Sequence, residues 1–365
     1  MTLTGKGFFI WQIRYCNGGD INSILYDVRK ANLTHVLIKI ADGVNKFNFD
    51  RESNFDLAKP LTDLLQSNGI QVWGWHYLRG TDPVNEARVS YERILELGLD
   101  GFVANAEYEF KTPGKDLVAK KFMEEMREAL PDLPMALSSY RFPSYHPQFP
   151  YKEFLDYCDY NMPQIYWQGA HNPAGQLTRS ISEYQDIEPN RPIIPTGSVY
   201  AYDGWEPTVE DVQAYLEAVT ELGIPATNFW SWDNCRNILP NQWNVIRDYE
   251  WVDAPEENDV TDELIEALNS YDVLKIGSLY TQDGVHINAN RTIQGTERIM
   301  SWYQTCFDQI LPGAEFKLTN KTGSRNSRHF NWEATSNEGQ VFNGKDTLGL
   351  RDGKISYHFT HFAGV

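Results

Sequence analysis

The chain has 365 residues, of which 41% are hydrophobic, and its formal net charge is −18. This length suits one large domain and one smaller one, and the apolar content is enough for a substantial core. The negative charge argues against nucleic acid and anionic membrane surfaces as partners, because a protein that binds either of them needs basic patches that displace counterions.

The N-terminal stretch MTLTGKGFFIWQIRY lacks the long apolar core and the small-residue cleavage site of a secretory signal. We therefore expect a cytoplasmic protein, or a chain that has lost its leader. No run approaches the roughly 20 apolar residues of a membrane span. The cysteines are scattered without a CxxC pair, which predicts reduced structural thiols. No residue set has metal-ligand spacing, and no cofactor is expected.

Apolar runs alternate with amphipathic segments from residue 7 to about residue 250. The strand candidates are GFFIWQI, THVLIKIADG, IQVWGWHYL, LDGFVANAEYEF, LPMALSSY, CDYNMPQIYW, RPIIPTGSVY and ATNFWSWD. Helical spacing marks INSILYDVRKANL, FDLAKPLTDLLQSNG, PVNEARVSYERILELG, KDLVAKKFMEEMREALP and TVEDVQAYLEAVTELG. Eight strands, most followed by a helix, predict an α/β fold, a (β/α)8 TIM barrel, over residues 1–250. A doubly wound open sheet is the alternative, but no glycine-rich phosphate loop follows the first strand.

The pattern changes after residue 250. The segment WVDAPEENDVTDE is acidic and poor in apolar residues, so residues 251–260 are predicted to be a linker. Residues 261–365 contain two helical stretches, the short strand DGVHINA and then four alternating runs, which predicts a smaller α+β domain. The pair Asp352-Gly353 between the last two runs predicts a hairpin.

In barrels of this kind, chemistry is carried by side chains at the C-terminal ends of the strands. Polar and aromatic residues are concentrated there, and aromatic faces at a cleft mouth suit sugar rings, although burial in the core is the competing explanation for each tryptophan. The candidate site residues are Lys39, Asp42, His76, Tyr77, Asn105, Glu107, Glu109, Gln164, Tyr166, Trp167, Ser198, Tyr200, Trp230, Trp232 and Asp233.

Asn105 and Glu107 are two residues apart at the end of the fourth strand candidate, VANAE. Strand side chains alternate between faces, so both should point into the barrel mouth while the small apolar residues between them pack against helices. A carboxyl group among aromatic rings is partly desolvated, which favours the protonated form that a general acid requires. The competing interpretation is a structural glutamate bonded to Lys39 or to a backbone amide.

Three neighbouring strand-end residues have open interpretations. Lys39 lies inside a strand and needs a carboxylate partner, which is either Asp42 or Glu107. Asp42 itself is either a site residue or a turn residue before a glycine. His76 could bind substrate or orient Glu107, and a histidine satisfied within the core is the alternative.

The blocks LIKIADG, VWGWHY, VANAE and FWSWD resemble, in this order, the strand-end blocks of the family 25 glycoside hydrolases. These lysozyme-type muramidases carry I-K-x-x-E-G, G-x-Y-H, D-x-E and a closing W-Q-Y. PQIYW and FWSWD are also similar to late strands of the family 18 chitinase barrels. The resemblance covers about residues 7–250 and is greatest to uncharacterised bacterial hydrolase-like barrels.

This resemblance implies a glycoside hydrolase acting on a β-linked amino-sugar polymer that is peptidoglycan-like or chitin-like. Glu107 matches the general acid, Asp42 matches the glutamate of I-K-x-x-E-G, and Asn105 stands where the family has an aspartate. Glycoside cleavage normally uses two carboxyl groups unless the substrate assists. The candidates for the second carboxyl group are Asp42, Asp159, Asp203 and Asp233. The alternative is a non-catalytic carbohydrate-binding barrel whose site has decayed.

In the C-terminal region, LYTQDGVHINA, the following helix and LGLRDGKISYHF resemble the NTF2-like, SnoaL-like cone fold. The resemblance implies a conical pocket and a homodimer formed through the sheet. Because this fold hosts many unrelated functions, it implies little about chemistry, and a scaffold assembled through this domain is a third interpretation of the protein. The candidate pocket residues, for which core packing is an equal explanation, are Trp302, Tyr303, His329, Trp332 and His358.

Overall fold

In a computed structural model, the protein forms two compact units, Met1–Ala254 and Pro255–Val365. The structure describes residues 3–251, 259–322, 326–336, 341–351 and 353–363, so most of the predicted linker lies outside the described residues. Within these ranges, no helix combines the length and the apolar character needed to cross a membrane.

The first unit is a closed barrel of eight parallel strands. Each strand pairs with its neighbours along the chain, and the first strand pairs with both the second and the last. The strands are β1 (Gly5–Ile10), β2 (Leu33–Asp42), β3 (Gln71–Tyr77), β4 (Gly101–Asn105), β5 (Met135–Tyr140), β6 (Tyr160–Ile165), β7 (Thr196–Ser198) and β8 (Ala226–Trp230). Two-residue strands at 45–46, 49–50 and 55–56 follow β2. The predicted TIM barrel is confirmed.

Helices surround this barrel. They are α1 (Ile21–Lys30), α2 (Ala58–Gln66), α3 (Pro83–Leu97), α4 (Lys115–Ala129), α5 (Tyr151–Leu155), α6 (Pro173–Gln185), α7 (Val209–Glu221), α8 (Trp232–Ile238) and α9 (Pro240–Asp248). Helix α3 begins where its sequence predicts, since the Asp82 side chain caps the first turn and Pro83 occupies the first helical position. It ends at Gly98, whose left-handed φ of 71° favours glycine.

Alternating strand residues form two apolar layers. Val103 belongs to the cluster inside the barrel, with Phe9, Trp73 and Trp75, whereas Phe102 belongs to the cluster packed against the helices. The register predicted for β4 is therefore correct.

The second unit is an α+β domain. Its helices are α10 (Val260–Ser270), α11 (Val273–Ser278) and α12 (Thr296–Thr305), the last continued by a π-helical turn at Cys306–Ile310. Its strands are β9 (Tyr280–Asn288), β10 (Arg291–Gln294), β11 (Glu315–Thr322), β12 (Ser327–Thr335), β13 (Val341–Arg351) and β14 (Lys354–Ala363). They form one sheet in the order β10-β9-β14-β13-β12-β11, with β9 and β14 parallel and the other pairs antiparallel.

Strands β13 and β14 pair as the predicted hairpin, with Gly353 at φ 74°, although Asp352 lies outside the described residues. The outward face of β14 carries Tyr357 and Phe359, which are 40% and 39% exposed. The neighbouring strand places Lys345 and Thr347 on this face, so the outer face of the sheet is apolar along β14 and polar along β13. The four cysteines are free and buried.

Candidate functional site at the barrel mouth

Glu107 follows β4 and begins a short 3-10 turn, Tyr108–Lys111. Its Oε1 atom accepts hydrogen bonds from Asn105 Nδ2 at 3.1 Å and from Gln164 Nε2 at 3.0 Å. Gln164 Nε2 also lies 2.9 Å from Asn105 Oδ1, which locks the two amides together. Because both partners of Oε1 are donors, a proton on Glu107 has to sit on Oε2, which has no hydrogen-bond partner among the described residues.

Three tyrosines surround this carboxyl group. Burial raises the pKa of Tyr77, Tyr140 and Tyr166, and in each case the negative charge of Glu107 is the next largest cause. All three phenols therefore remain protonated at neutral pH and can donate to a ligand hydroxyl or carbonyl oxygen.

A chain of ion pairs lies on the β2 and β3 side of the mouth. Lys39 Nζ is 2.7 Å from Asp42 Oδ2, so of the two partners considered for Lys39, Asp42 and Glu107, it pairs with Asp42. Arg79 bridges two carboxylates, with Nε 2.9 Å from Asp42 Oδ1 and Nη1 2.9 Å from Glu109 Oε1. The Tyr77 hydroxyl donates to Glu109 Oε2 at 3.0 Å. One guanidinium thus fixes two strand-end loops.

Asp42 is a fully engaged carboxylate. Burial alone would raise its pKa, but the hydrogen bonds from Lys39 and Arg79 together outweigh burial, and the pKa of Asp42 is lowered. Each of its oxygens faces a cation, so neither is free to attack a substrate.

Lys39 is enclosed by aromatic rings. Its Nζ atom lies 4.2 Å from the centre of the Phe47 ring, 5.0 Å from that of Trp75 and 5.6 Å from that of Tyr77. Burial lowers the pKa of Lys39, and the bond to Asp42 partly offsets this effect. The faces of the rings stabilise the ammonium group, so Lys39 is a buried structural residue of the mouth and is not exposed to a ligand.

The loop that carries Arg79 is held by Glu86, which the sequence alone did not single out. Glu86 is fully buried on α3, and its Oε2 accepts from the backbone nitrogens of Arg79 at 2.9 Å and Gly80 at 3.1 Å. Its Oε1 accepts from the backbone nitrogen of Thr81 at 2.9 Å. A glutamate seven residues after a strand-end arginine was the available signal, but its contacts depend on the loop's conformation.

Several predicted site residues lie elsewhere. His76 is fully buried on the helix side of β3, where Nδ1 lies 2.7 Å from Ser90 Oγ, so it is a core histidine and does not reach the mouth. Trp167 packs on Tyr215 of α7, also on the helix side. Trp232 is likewise fully buried, packs on Trp243 and is not available to a substrate. His76 faces the helices because strand side chains alternate between faces, whereas Trp167 follows the end of β6 and Trp232 lies in α8.

Three candidates for the second carboxyl group, Asp159, Asp203 and Asp233, also lie outside the site around Glu107. Asp159 precedes β6 and accepts from the backbone nitrogen of Met135 at the start of β5, at the end of the barrel opposite the mouth. Asp203 is exposed in a turn, and Asp233 accepts from Ser231 Oγ at 2.7 Å in the first turn of α8. Trp230 points inward against Trp75.

A cleft of about 440 Å³ opens at the mouth beside Glu107, between the loops that follow β5, β6 and β7. Gln164, which contacts Glu107, lines it, whereas Glu107 does not itself line the cleft. Of the predicted residues, Tyr166 and Tyr200 also line it, with ring centres 5.6 Å apart. Its remaining lining residues are Tyr140, Arg141, Phe142, Tyr145, His146, Gln168 and Gly169.

The C-terminal unit contains a buried polar cluster of its own. His358 Nε2 lies 2.8 Å from Asp346 Oδ2, and its Nδ1 lies 2.5 Å from the Tyr280 hydroxyl. Trp332 Nε1 donates to Asp346 at 3.0 Å. Of the predicted pocket residues, Tyr303, Trp332 and His358 face this interior and Trp302 is half-buried. His329 is exposed on the opposite face of the sheet, because it alternates with inward-facing Phe330.

Residues 261–358 match the family model of the SnoaL-like domain. The C-terminal unit is a SnoaL-like domain. A putative isomerase of the SnoaL-like family from Agrobacterium tumefaciens is similar at 20% identity over 29% of this chain and 95% of that chain, with a TM-score of 0.26. An LEH-like epoxide hydrolase from M. tuberculosis is similar at 16% identity over 29% of this chain and 81% of that chain, with a TM-score of 0.26. No curated protein matches the chain.

Proposed function

We propose that the barrel is a glycoside hydrolase that acts on a β-linked amino-sugar polymer, peptidoglycan-like or chitin-like, with Glu107 as the general acid. The observation that carries this proposal is the asymmetric environment of one carboxyl group. Oε1 of Glu107 is fixed by the amides of Asn105 and Gln164, while Oε2 has no partner in the described part of the chain and can hold the proton that is transferred. Three protonated phenols and an aromatic cleft adjoin it.

The state of Asp42 favours assistance by the substrate. Retaining enzymes use a second carboxylate as nucleophile, but both oxygens of Asp42 face cations, and Glu109 is held by Arg79 and Tyr77. In the proposed reaction the acetamido oxygen of the sugar attacks its own anomeric carbon while Glu107 protonates the departing oxygen. Asn105 lies beside Glu107 and could hydrogen-bond the acetamido group by exchanging its contact with Gln164.

The same ion pairs support the second candidate, a barrel that binds carbohydrate without cleaving it. If neither Asp42 nor the acetamido group serves as nucleophile, Glu107 is a hydrogen-bonding residue at a sugar-binding mouth. Cleavage, and not binding, therefore separates the two candidates.

The test is release of reducing ends from purified chitin oligosaccharides and from peptidoglycan by the full chain. We expect wild-type turnover on one of these polymers and a loss of about 10²–10⁴-fold in Glu107→Gln, the usual contribution of general acid catalysis. Glu128→Gln, which changes an exposed glutamate of α4, is the matched control and should retain wild-type turnover. Equal activity of Glu107→Gln and wild type on a cleaved polymer would refute the assignment, and binding without cleavage would favour the second candidate.

A further inference from the structure

The cleft beside Glu107 contains a cation, Arg141, that pairs with no carboxylate in the residues that the structure describes. Arg141 follows β5 directly, is half-buried and lines the cleft. Its Nη1 donates to Gln176 Oε1 of α6 at 2.6 Å, which anchors the guanidinium. The other two guanidinium nitrogens have no acceptor among the described residues, and none of the carboxylates of those residues pairs with Arg141.

Three other cations of this region pair with carboxylates, whereas Lys111 Nζ lies over the Tyr140 ring, 4.3 Å from its centre. Lys39 and Arg79 pair with Asp42, and Arg79 also pairs with Glu109. Arg179, which stacks on Phe142 beside the cleft, pairs with Glu183 at 2.8 Å. The chain has a net charge of −18. A guanidinium that lacks a carboxylate partner among the described residues and lies in a half-enclosed cleft is suited to bind an anion.

The remaining lining of the cleft suits a sugar ring. Tyr140 and His146 lie on one side with ring centres 3.8 Å apart, and Tyr166 and Tyr200 lie together at 5.6 Å. Burial raises the pKa of Tyr200 to about 12, so its hydroxyl stays neutral. Gln164 lies at the cleft and also contacts Glu107, so a ligand in the cleft adjoins the proposed acid.

We propose that this cleft is a subsite for a sugar that carries a carboxylate, and that Arg141 binds that carboxylate through its free nitrogens. This inference rests on the proposed function and narrows its substrate class from peptidoglycan-like or chitin-like polymers to those whose sugars carry a carboxylate. The net negative charge of the protein does not oppose such binding at short range. Charges farther away than the Debye length of about 8 Å are largely screened at physiological salt, so they slow encounter more than they weaken the contact.

Binding is measured by calorimetry in the full-length Glu107→Gln variant, which prevents turnover. The probes are chitohexaose, a hyaluronan hexasaccharide whose carboxylate is on the ring, and a peptidoglycan glycan oligomer whose carboxylate is on the lactyl ether. We expect at least one acidic probe to bind about tenfold or more tighter than chitohexaose, in the range of a charged hydrogen-bonded pair. Adding Arg141→Gln should remove that advantage, and Arg141→Lys should keep part of it.

Arg88→Gln, on the exposed face of α3, makes the same change in net charge away from the cleft and is the matched control. At high salt, the difference in affinity for the acidic probe between the protein with Arg141 and the Arg141→Gln variant should become smaller. Preference for one acidic probe over the other identifies which carboxylate is bound, and either preference supports the proposal. Equal binding of neutral and acidic probes, no binding of any acidic probe, or equal losses in Arg141→Gln and Arg88→Gln would overturn it. Cleavage of chitin oligosaccharides by the wild type would leave the proposed function intact in that event.

Discussion

Replacing Glu86 by glutamine should destabilise the barrel more than any single surface change at the mouth. The glutamate is fully buried, and each of its carboxylate oxygens accepts from two backbone nitrogens of the loop at 79–82. Whichever oxygen becomes the amide group then faces two donors. A buried donor without an acceptor costs about 1–3 kcal/mol, so we expect the free energy of unfolding to fall by about 2–6 kcal/mol.

Urea unfolding followed by tryptophan fluorescence measures this loss. Glu109→Gln is the control, because Glu109 is partly exposed and its salt bridge to Arg79 should contribute about 1 kcal/mol or less. A loss below about 1 kcal/mol in Glu86→Gln, or equal losses in the two variants, would show that the buried carboxylate does not anchor the Arg79 loop.

Three further predictions concern the scaffold. Burial lowers the pKa of His76 to about 3, so below pH 6.5 the unfolded chain binds a proton at this residue that the folded barrel does not, and stability falls as the pH drops from 6.5 towards 3. Buried His35, with a pKa of about 4, contributes a similar loss in both proteins. Urea unfolding should therefore show a loss between pH 8 and pH 5 that is about 2 kcal/mol larger in the wild type than in His76→Gln, and equal losses would contradict this. A Cβ atom on Gly101 would lie 2.3 Å from the Trp73 ring inside the barrel; Gly101→Ala should therefore lower the free energy of unfolding by about 1–3 kcal/mol, whereas an unchanged value would show that the ring can move aside. We also propose a homodimer through the outer face of β14, so light scattering should find a dimer that Tyr357→Lys with Phe359→Lys converts to monomer, and a monomeric wild type at tens of micromolar would refute it.

The sequence predicted the barrel because alternation and apolar runs depend on neighbours along the chain. It placed Asn105 and Glu107 inward correctly, since the register of β4 follows from Phe102 and Ala104 facing the helices. Helix α6 was missed as an element, because PAGQLTRSISEYQ has few apolar residues to mark its periodicity. Strand β10 was missed because its four residues are mostly exposed.

The site was predicted less completely, because its contacts join distant parts of the chain. Arg79 pairs with Asp42 and Glu109 from a loop whose conformation depends on Glu86, and no local pattern reports that arrangement. His76 and Trp167 were assigned to the mouth by their position at strand ends, but His76 alternates with the inward-facing Trp75, and Trp167 lies beyond the end of β6 and packs on the helix side. Strand alternation therefore predicts which face a residue within a strand takes, as it does for Asn105, but assigning residues to the mouth by nearness to a strand end does not.

The central claim is that Glu107 delivers a proton to the departing oxygen, and the dependence of rate on the leaving group tests it most directly. The kcat/KM of wild type and Glu107→Gln is measured on aryl glycosides whose phenols differ in acidity, built on the sugar that the polymer assay selects. We predict a steep dependence on phenol acidity in Glu107→Gln, with near-normal rates for the most acidic phenol, and a shallow dependence in the wild type. Parallel dependences, with Glu107→Gln slower by one constant factor, would contradict the claim and assign Glu107 to binding.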